Sequence, residues 1–269
     1  MHYMRTLLKD TKILRRKITI PAEMEDKMEK QKDFIPGCAD CSVKNPICGD
    51  KEGKGPAFCP TLNMADVVEA SLLEYERPGI KPFAKNASIQ EAECYVNKEG
   101  GNPHSIFAIK PRIQETIEFA NKMGYKRLGL AFCGGLKNEA KIVSDILKAQ
   151  DFEVASVMCK AGGTPKEFLG LNEHQMIRGK GENMCSPITQ AKLLNASKTE
   201  FNILLGLCVG HDSLLMKFSE SMCTVLVAKD RVTGHNPLAA IQLYRSYYRK
   251  LQDEKFKKGG NLIVAASDE

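Results

Sequence analysis

The 269-residue sequence contains no apolar run longer than a strand, so it offers no segment with the length and continuity a transmembrane helix requires. Its first 20 residues (MHYMRTLLKDTKILRRKITI) are broken by charge too often to form a signal-peptide core, which predicts a cytoplasmic protein. Tryptophan is absent, and this decides nothing. No G-x-G-x-x-G follows a strand and no Walker loop occurs, so neither dinucleotide nor nucleoside triphosphate binding has a motif to support it. No serine sits in a nucleophile-elbow sequence, which leaves a Ser-His-Asp hydrolase unsupported. The net charge of +6 is concentrated in the first 20 residues and around Lys250 to Lys258. Without an aromatic-interleaved basic stripe, these read as solvated ends rather than a nucleic-acid surface.

Cysteine is abundant. Ten of them in a reducing compartment favour metal or redox chemistry over disulfides. Cys133, Cys159, Cys185 and Cys208 recur at intervals of 26, 26 and 23 residues. Short apolar runs at Arg127 to Phe132, Phe152 to Met158, Phe201 to Leu207 and Cys223 to Ala228 read as strands buried on both faces. Cys133, Cys159 and Cys208 each follow one of these runs, and Cys185 precedes Ser186-Pro187, an N-cap followed by a proline at the first helical position.

The pattern from residue 111 onward alternates strand and helix, which predicts a three-layer α/β domain, Rossmann-like or flavodoxin-like, with a parallel sheet of four to five strands. Helices are expected at Leu62 to Glu76, about Ser88 to Lys98, Pro111 to Met123, Lys137 to Ala149, Pro187 to Ala196, Ser213 to Ser221 and Pro237 to Lys255, with a short one at Ala22 to Lys32. In the last long helix, Leu243, Tyr244, Tyr247, Tyr248 and Leu251 are expected to form a core face. Lys160 to Met184 is too long for a simple connection, and it reads as an ordered flap opened by Cys159 and closed by Cys185. Three segments result: a basic extension at 1–34, a four-cysteine metal-binding segment with helices at 35–110, and the α/β domain at 111–269.

Cys38 and Cys41 form a C-x-x-C pair, and Cys48 and Cys59 complete four thiolates, a set suited to tetrahedral zinc or an iron-sulfur cluster. The surrounding Gly- and Pro-rich stretch is too poor in apolar residues to fold by burial, a deficit that a bound metal can offset by about 10 kcal/mol or more. At the carboxyl edge of the sheet, Cys133, Cys159, Cys185 and Cys208 are candidates for a second cluster or for reactive thiolates. Any one cysteine ending a strand is more often a small buried hydrophobe, but four at one edge favour a joint site. His211, Asp212, Lys229, Asp230, Arg231 and His235 lie at the same edge as candidates for proton transfer, substrate fixation or charge compensation, while His235 and Asp230 can equally serve to hold their loop. Cys94 and Cys223 read as structural.

The phrases GLAFCGG (129–135), VMCKAGG (157–163), CSPITQAKLLN (185–195), GLCVGHD (206–212) and VAKDRVTGHNPLA (227–239), with the four-cysteine segment before them, resemble a family of uncharacterised bacterial and archaeal proteins described as metal-binding and known as domain of unknown function 1847. The likeness covers roughly residues 35 to 245 and implies a metal-binding label without a reaction; Ser186 departs from the asparagine expected after the cysteine. The leading expectation is a 4Fe-4S protein acting on a small molecule or with a redox partner protein. If an enzyme, it would be an iron-sulfur-dependent lyase, desulfidase or oxidoreductase, and a cluster held by only three cysteines would leave one iron open, by analogy with cluster-dependent dehydratases. The alternatives are a zinc module for metal sensing, delivery or partner binding, and a metal-free thiol redox protein.

Overall fold

The structure is a computed structural model that describes residues 33–98 and 106–253. The helix expected at Ala22 to Lys32 lies outside them, as do most of the basic ends. The chain divides into two compact units, residues 1–110 and 111–269. No helix among the described residues is long and apolar enough to cross a membrane.

The first unit opens with a single 3-10 turn, Cys38–Asp40, followed by a loop pinned by a bridge between Pro46 and Lys54. None of residues 33–61 is buried. Gly53 is obligatory in this loop, because a Cβ there would stand 2.6 Å from the Pro46 carbonyl carbon and 2.7 Å from Ile47 N. Helices α1 (Pro60–Asn63), α2 (Ala65–Tyr75) and α3 (Ile80–Glu93) follow, and the two-residue strands β1 (Tyr95–Val96) and β2 (Phe107–Ala108) pair antiparallel. The helix expected at about Ser88 to Lys98 therefore starts eight residues earlier and ends five residues earlier than read. Pro82 falls in its first turn, where the missing N–H would have had no helical partner.

The second unit begins with α4 (Arg112–Lys122) and then builds β3 (Arg127–Phe132), α5 (Lys137–Lys148), β4 (Glu153–Met158), α6 (Pro187–Ala196), β5 (Phe201–Leu207), α7 (His211–Phe218), β6 (Met222–Ala228) and α8 (Pro237–Gln242). The four strands form one parallel sheet in the order β4-β3-β5-β6, the flavodoxin-like arrangement without a fifth strand among the described residues. Every residue of β5 is buried, as a central strand covered on both faces requires. Right-handed crossovers put α5 on one face and α6 with α7 on the other, where Ala131, Ala191, Leu194, Leu204, Leu207 and Leu215 form a packed cluster.

At the opposite, amino end of the sheet, Asn202 is fully buried and satisfied by side chains. It accepts from Thr199 Oγ1 at 2.8 Å and donates to Ser219 Oγ at 2.8 Å, and Ser219 Oγ donates to the Ser221 carbonyl at 2.7 Å. This network locks the entry of β5 against β6.

The amphipathic reading of Pro237 to Lys255 is corrected. The α-helix stops at Gln242, and a separate 3-10 turn covers Arg249–Gln252. Leu243, Tyr244, Leu251 and above all Tyr247, 85% exposed, do not form a core face. A stripe with the right period stays helical only when it has a surface to pack against. The helix after Cys208 begins at His211, two residues before the expected start.

The ladder between β5 and β6 slips twice near its carboxyl end, between Leu204 and Leu205 and between Leu205 and Leu207. Gly206, at φ 66°, makes the irregularity possible. A Cβ at this position would also meet Leu136 Cδ1 at 2.2 Å. Gly206→Ala should therefore cost roughly 2–4 kcal/mol from strain plus overpacking, read as a lower urea midpoint with an unchanged slope.

Candidate functional site

In an open α/β sheet, ligands bind at the carboxyl edge, where two neighbouring strands send their connections in opposite directions. Here that point lies between β3, whose chain leaves toward β4, and β5, whose chain leaves toward β6. Cys133 follows β3 directly and Cys208 follows β5 directly. A cavity of about 740 Å³ opens at this place, lined by Cys133, Cys159, Cys185 and Cys208 together with Gly134, Gly135, Lys160, Arg231 and residues 177, 178 and 180–183.

Backbone hydrogen bonds continue the sheet ladder through the cysteines. Cys133 N–H donates to the Leu205 carbonyl at 3.1 Å, Cys159 N–H to the Phe132 carbonyl at 2.8 Å, and Ser186 N–H to the Cys159 carbonyl at 2.7 Å. Gln190 of α6 donates to the carbonyls of Phe132 at 3.3 Å and Val157 at 2.7 Å, tying the ends of β3 and β4 just ahead of their cysteines. Ser186, 2% exposed, begins α6 without a side-chain capping bond, and its hydroxyl has no protein partner. The expected side-chain N-cap is thus not made.

The thiols are coupled. The sulfurs of Cys159 and Cys185 lie 3.8 Å apart, and Gly134 N–H donates to Cys159 Sγ at 3.3 Å. The hydrogen bond between the two sulfurs lowers the Cys185 thiol to about 7, helped by the charge of Lys160 and opposed by burial and by the charges of Cys208 and Cys133. The same bond, with burial, pushes Cys159 well above the ordinary thiol range. The pair behaves as two sulfurs that give up one proton readily and hold the second. Arg231 Nη2 donates to Cys208 Sγ at 3.1 Å, and this bond and the thiolate charges of Cys208, Cys133 and Cys185 raise the guanidinium pKa further. Lys229 Nζ and Cys133 Sγ approach the same space beside Gly135, to 3.9 and 3.8 Å of where its Cβ would be.

The remaining candidates divide by what they touch. Asp230 accepts from Val232 N–H at 2.9 Å and Thr233 N–H at 3.0 Å, and His235 Nδ1 accepts from Asp230 N–H at 3.1 Å, so both hold the loop after β6. Asp212 accepts from Ser213 N–H at 2.8 Å, and His211 opens α7 with its N–H on the Cys208 carbonyl at 2.9 Å. None of these four lines the cavity, which sets them apart from the cysteines and Arg231.

The excursion after Cys159 folds as a flap. Lys166 N–H donates to the Glu182 carbonyl at 2.9 Å and Met184 N–H to the Thr164 carbonyl at 2.8 Å, closing the two arms. Sequence reasoning did not single out Glu182, Arg178 or Lys180, because a Gly-rich loop has no periodicity to place its side chains. Glu182 is the flap's organiser: Lys166 Nζ lies 3.0 Å from it, and it accepts from Ile177 N–H at 2.9 Å and Arg178 N–H at 3.1 Å.

In the first unit, a smaller cavity of about 230 Å³ is lined by Cys38, Cys41, Cys48 and Cys59. Three of these thiols are exposed and Cys59 is partly covered. Among the described residues, no group of three or more His, Cys, Asp or Glu side chains stands in an arrangement that holds a single metal ion. Both cavities thus gather four sulfurs as a lining rather than as a closed coordination shell.

Residues 59–226 match the family described as protein of unknown function (DUF1847). The chain belongs to this family. The family match includes the four cavity cysteines and the whole flap, and of the first set only Cys59. A relative in Methanocaldococcus jannaschii, described as uncharacterized protein MJ0455, is 40% identical over 185 residues, which span 69% of this chain and 87% of that protein. No solved structure matches.

The Glu182 carboxyl is held down to about 2 from an ordinary 4.5, first by Lys166 and then by the Arg178 and Ile177 amides. A depressed carboxyl stabilises the fold above its unfolded value, and that contribution is lost as pH falls through the folded one. The flap should therefore keep its amide protection above pH about 4.5 and lose it progressively toward pH 2. In Glu182→Gln it should be loosened already at pH 7, as read by hydrogen exchange of peptides covering 164–184.

Proposed function

We propose that this chain is an iron-sulfur protein whose reaction site is the cavity between β3 and β5. The observation that carries the reading is the convergence of four cysteines from three separate connections on one cavity at the switch point of the sheet. A single tetrahedral ion needs its sulfurs about 2.3 Å from one point, whereas a 4Fe-4S cluster binds each thiolate through a different iron and spreads them more widely. Four thiols around one cavity supply the ligands a cluster needs, and the Cys159–Cys185 pair, 3.8 Å apart, would have to part to take separate irons. The positive groups beside them, Arg231 on Cys208 and Lys229 near Cys133, fit the negative charge that thiolate ligation brings. Gly134 N–H on Cys159 is the kind of amide contact to sulfur that tunes a cluster's potential.

Bound there, a cluster would supply Lewis acidity toward a small molecule or one-electron exchange with a redox partner protein. The chain's own residues would hold it, balance its charge and cover it with the flap. Cys38, Cys41, Cys48 and Cys59 form a second metal centre in this reading, 4Fe-4S or zinc, supported by a wrap in which none of residues 33–61 is buried. A reducing cytoplasm would keep both sets of thiols free for metal.

Iron, zinc and acid-labile sulfide per chain should be measured after anaerobic purification of the native protein, Cys41→Ser and Cys208→Ser. Iron with sulfide is expected, reduced by a separate fraction in each variant. Zinc without sulfide, lost only in Cys41→Ser, would sink the cluster reading of the cavity and leave a zinc knuckle in the first unit.

A further inference from the structure

Cations crowd the cavity. Lys160, Arg178 and Lys180 come from the flap and Arg231 from the loop after β6, against one lining carboxylate, Glu182. That carboxylate is already committed, to Lys166 at 3.0 Å, to Lys160 at 3.9 Å and to two backbone amides. The flap's other carboxylate near the tip, Glu167, accepts from Gly181 N–H at 2.8 Å and feels Lys180 only through space. Among the described residues, Arg178 and Lys180 have no ion-pair partner, and the guanidinium of Arg231 touches a sulfur and no carboxylate. Two of the flap's three acids, Glu182 and Glu167, thus shape its backbone, and the flap leaves two cations on the cavity wall, while a third faces them from the sheet edge.

A cation held at a cavity wall without a carboxylate partner, as Arg178 and Lys180 are among the described residues, is a recognition element for an anion, and Arg231, which rests on Cys208 Sγ through Nη2, adds positive charge to the same wall. We propose that the cavity binds a small oxyanionic substrate, seated between Arg178 and Lys180 of the flap and Arg231 of the sheet edge. This inference rests on the reading of the cavity as a reaction site and names the class of molecule it takes. Arg178 and Arg231 each present a planar fork that can hold a carboxylate or a phosphoryl group in bidentate fashion, and Lys180 adds a point charge. The placement gives these residues different roles from the cysteines: the thiols hold or perform the chemistry, and the cations orient the substrate's charge.

The test is calorimetric titration of the protein as purified, at matched ionic strength, with malonate, succinate, glutarate, inorganic phosphate and the uncharged succinamide. At least one anion should bind while succinamide does not, and a dicarboxylate or phosphate preference distinguishes the two sources of the oxyanion. In Arg178→Gln/Lys180→Gln the affinity should fall roughly tenfold or more, with iron and sulfide per chain unchanged, since two charge-assisted contacts are removed and no cysteine is altered. Binding of none of the anions, equal binding of succinamide, undiminished affinity in the double variant, or loss of iron from it would each overturn the proposal, the last by showing that the cations serve the cluster instead. Anion binding to a protein free of iron would sustain this inference while removing the cluster reading, so the two can fail separately.

Discussion

The site exists because a parallel sheet buried on both faces must reverse its winding direction once. Strand order β4-β3-β5-β6 sends the chain outward in opposite directions from β3 and β5, and the space between their connections cannot be filled by either crossover. The buried core beneath, with β5 sealed along its full length, makes that edge rigid. Extension of the ladder through Cys133, Cys159 and Ser186 then carries the rigidity to the thiols themselves. A loop-borne cysteine cluster would have to bear the entropy of ordering each ligand separately, whereas here the sheet has already paid it.

Electrostatics explains why the cavity is tolerable. Thiols this close oppose one another's ionisation, as Cys133 and Cys208 do at Cys185. Arg231 and Lys160 reverse part of that opposition. The flap contributes without adding net negative charge, because Glu182 is absorbed by Lys166 and backbone amides. The first unit solves a different problem. Its cysteine segment has no buried residue to hold it, and Gly53 permits only a tight crossing over Pro46 and Ile47, so its order depends on what its sulfurs bind or on the contacts of a loop with little core.

Much of the α/β architecture was legible because buried parallel strands are short, continuous and apolar. RLGLAF and FNILLGL occupy the residues their composition marked out, and Pro187 opened α6 where a first-turn proline belongs. The misreadings share one cause, since local pattern is silent about what an element meets. α3 starts at Ile80, eight residues before the expected Ser88, and the Tyr-rich stripe after Gln242 carried a helical period without a buried face. Asp230 and His235 looked equally suited to chemistry and to loop support, and only their mutual hydrogen bonds separate the two.

By itself the sequence determined the fold class, the edge of the sheet at which the cysteines lie and the family to which the chain belongs, because these follow from periodicity and from residues close to one another along the chain. Tertiary structure alone decided that the four thiols share one cavity, that Arg231 reaches Cys208 across 23 residues, and that Arg178 and Lys180 line the same space without a salt-bridge partner among the described residues. Strand order and the folding of a Gly-rich flap bring those groups together, and neither leaves a period in the sequence: order is set by how crossovers pack on the sheet, and the flap by a few hydrogen bonds to two carboxylates.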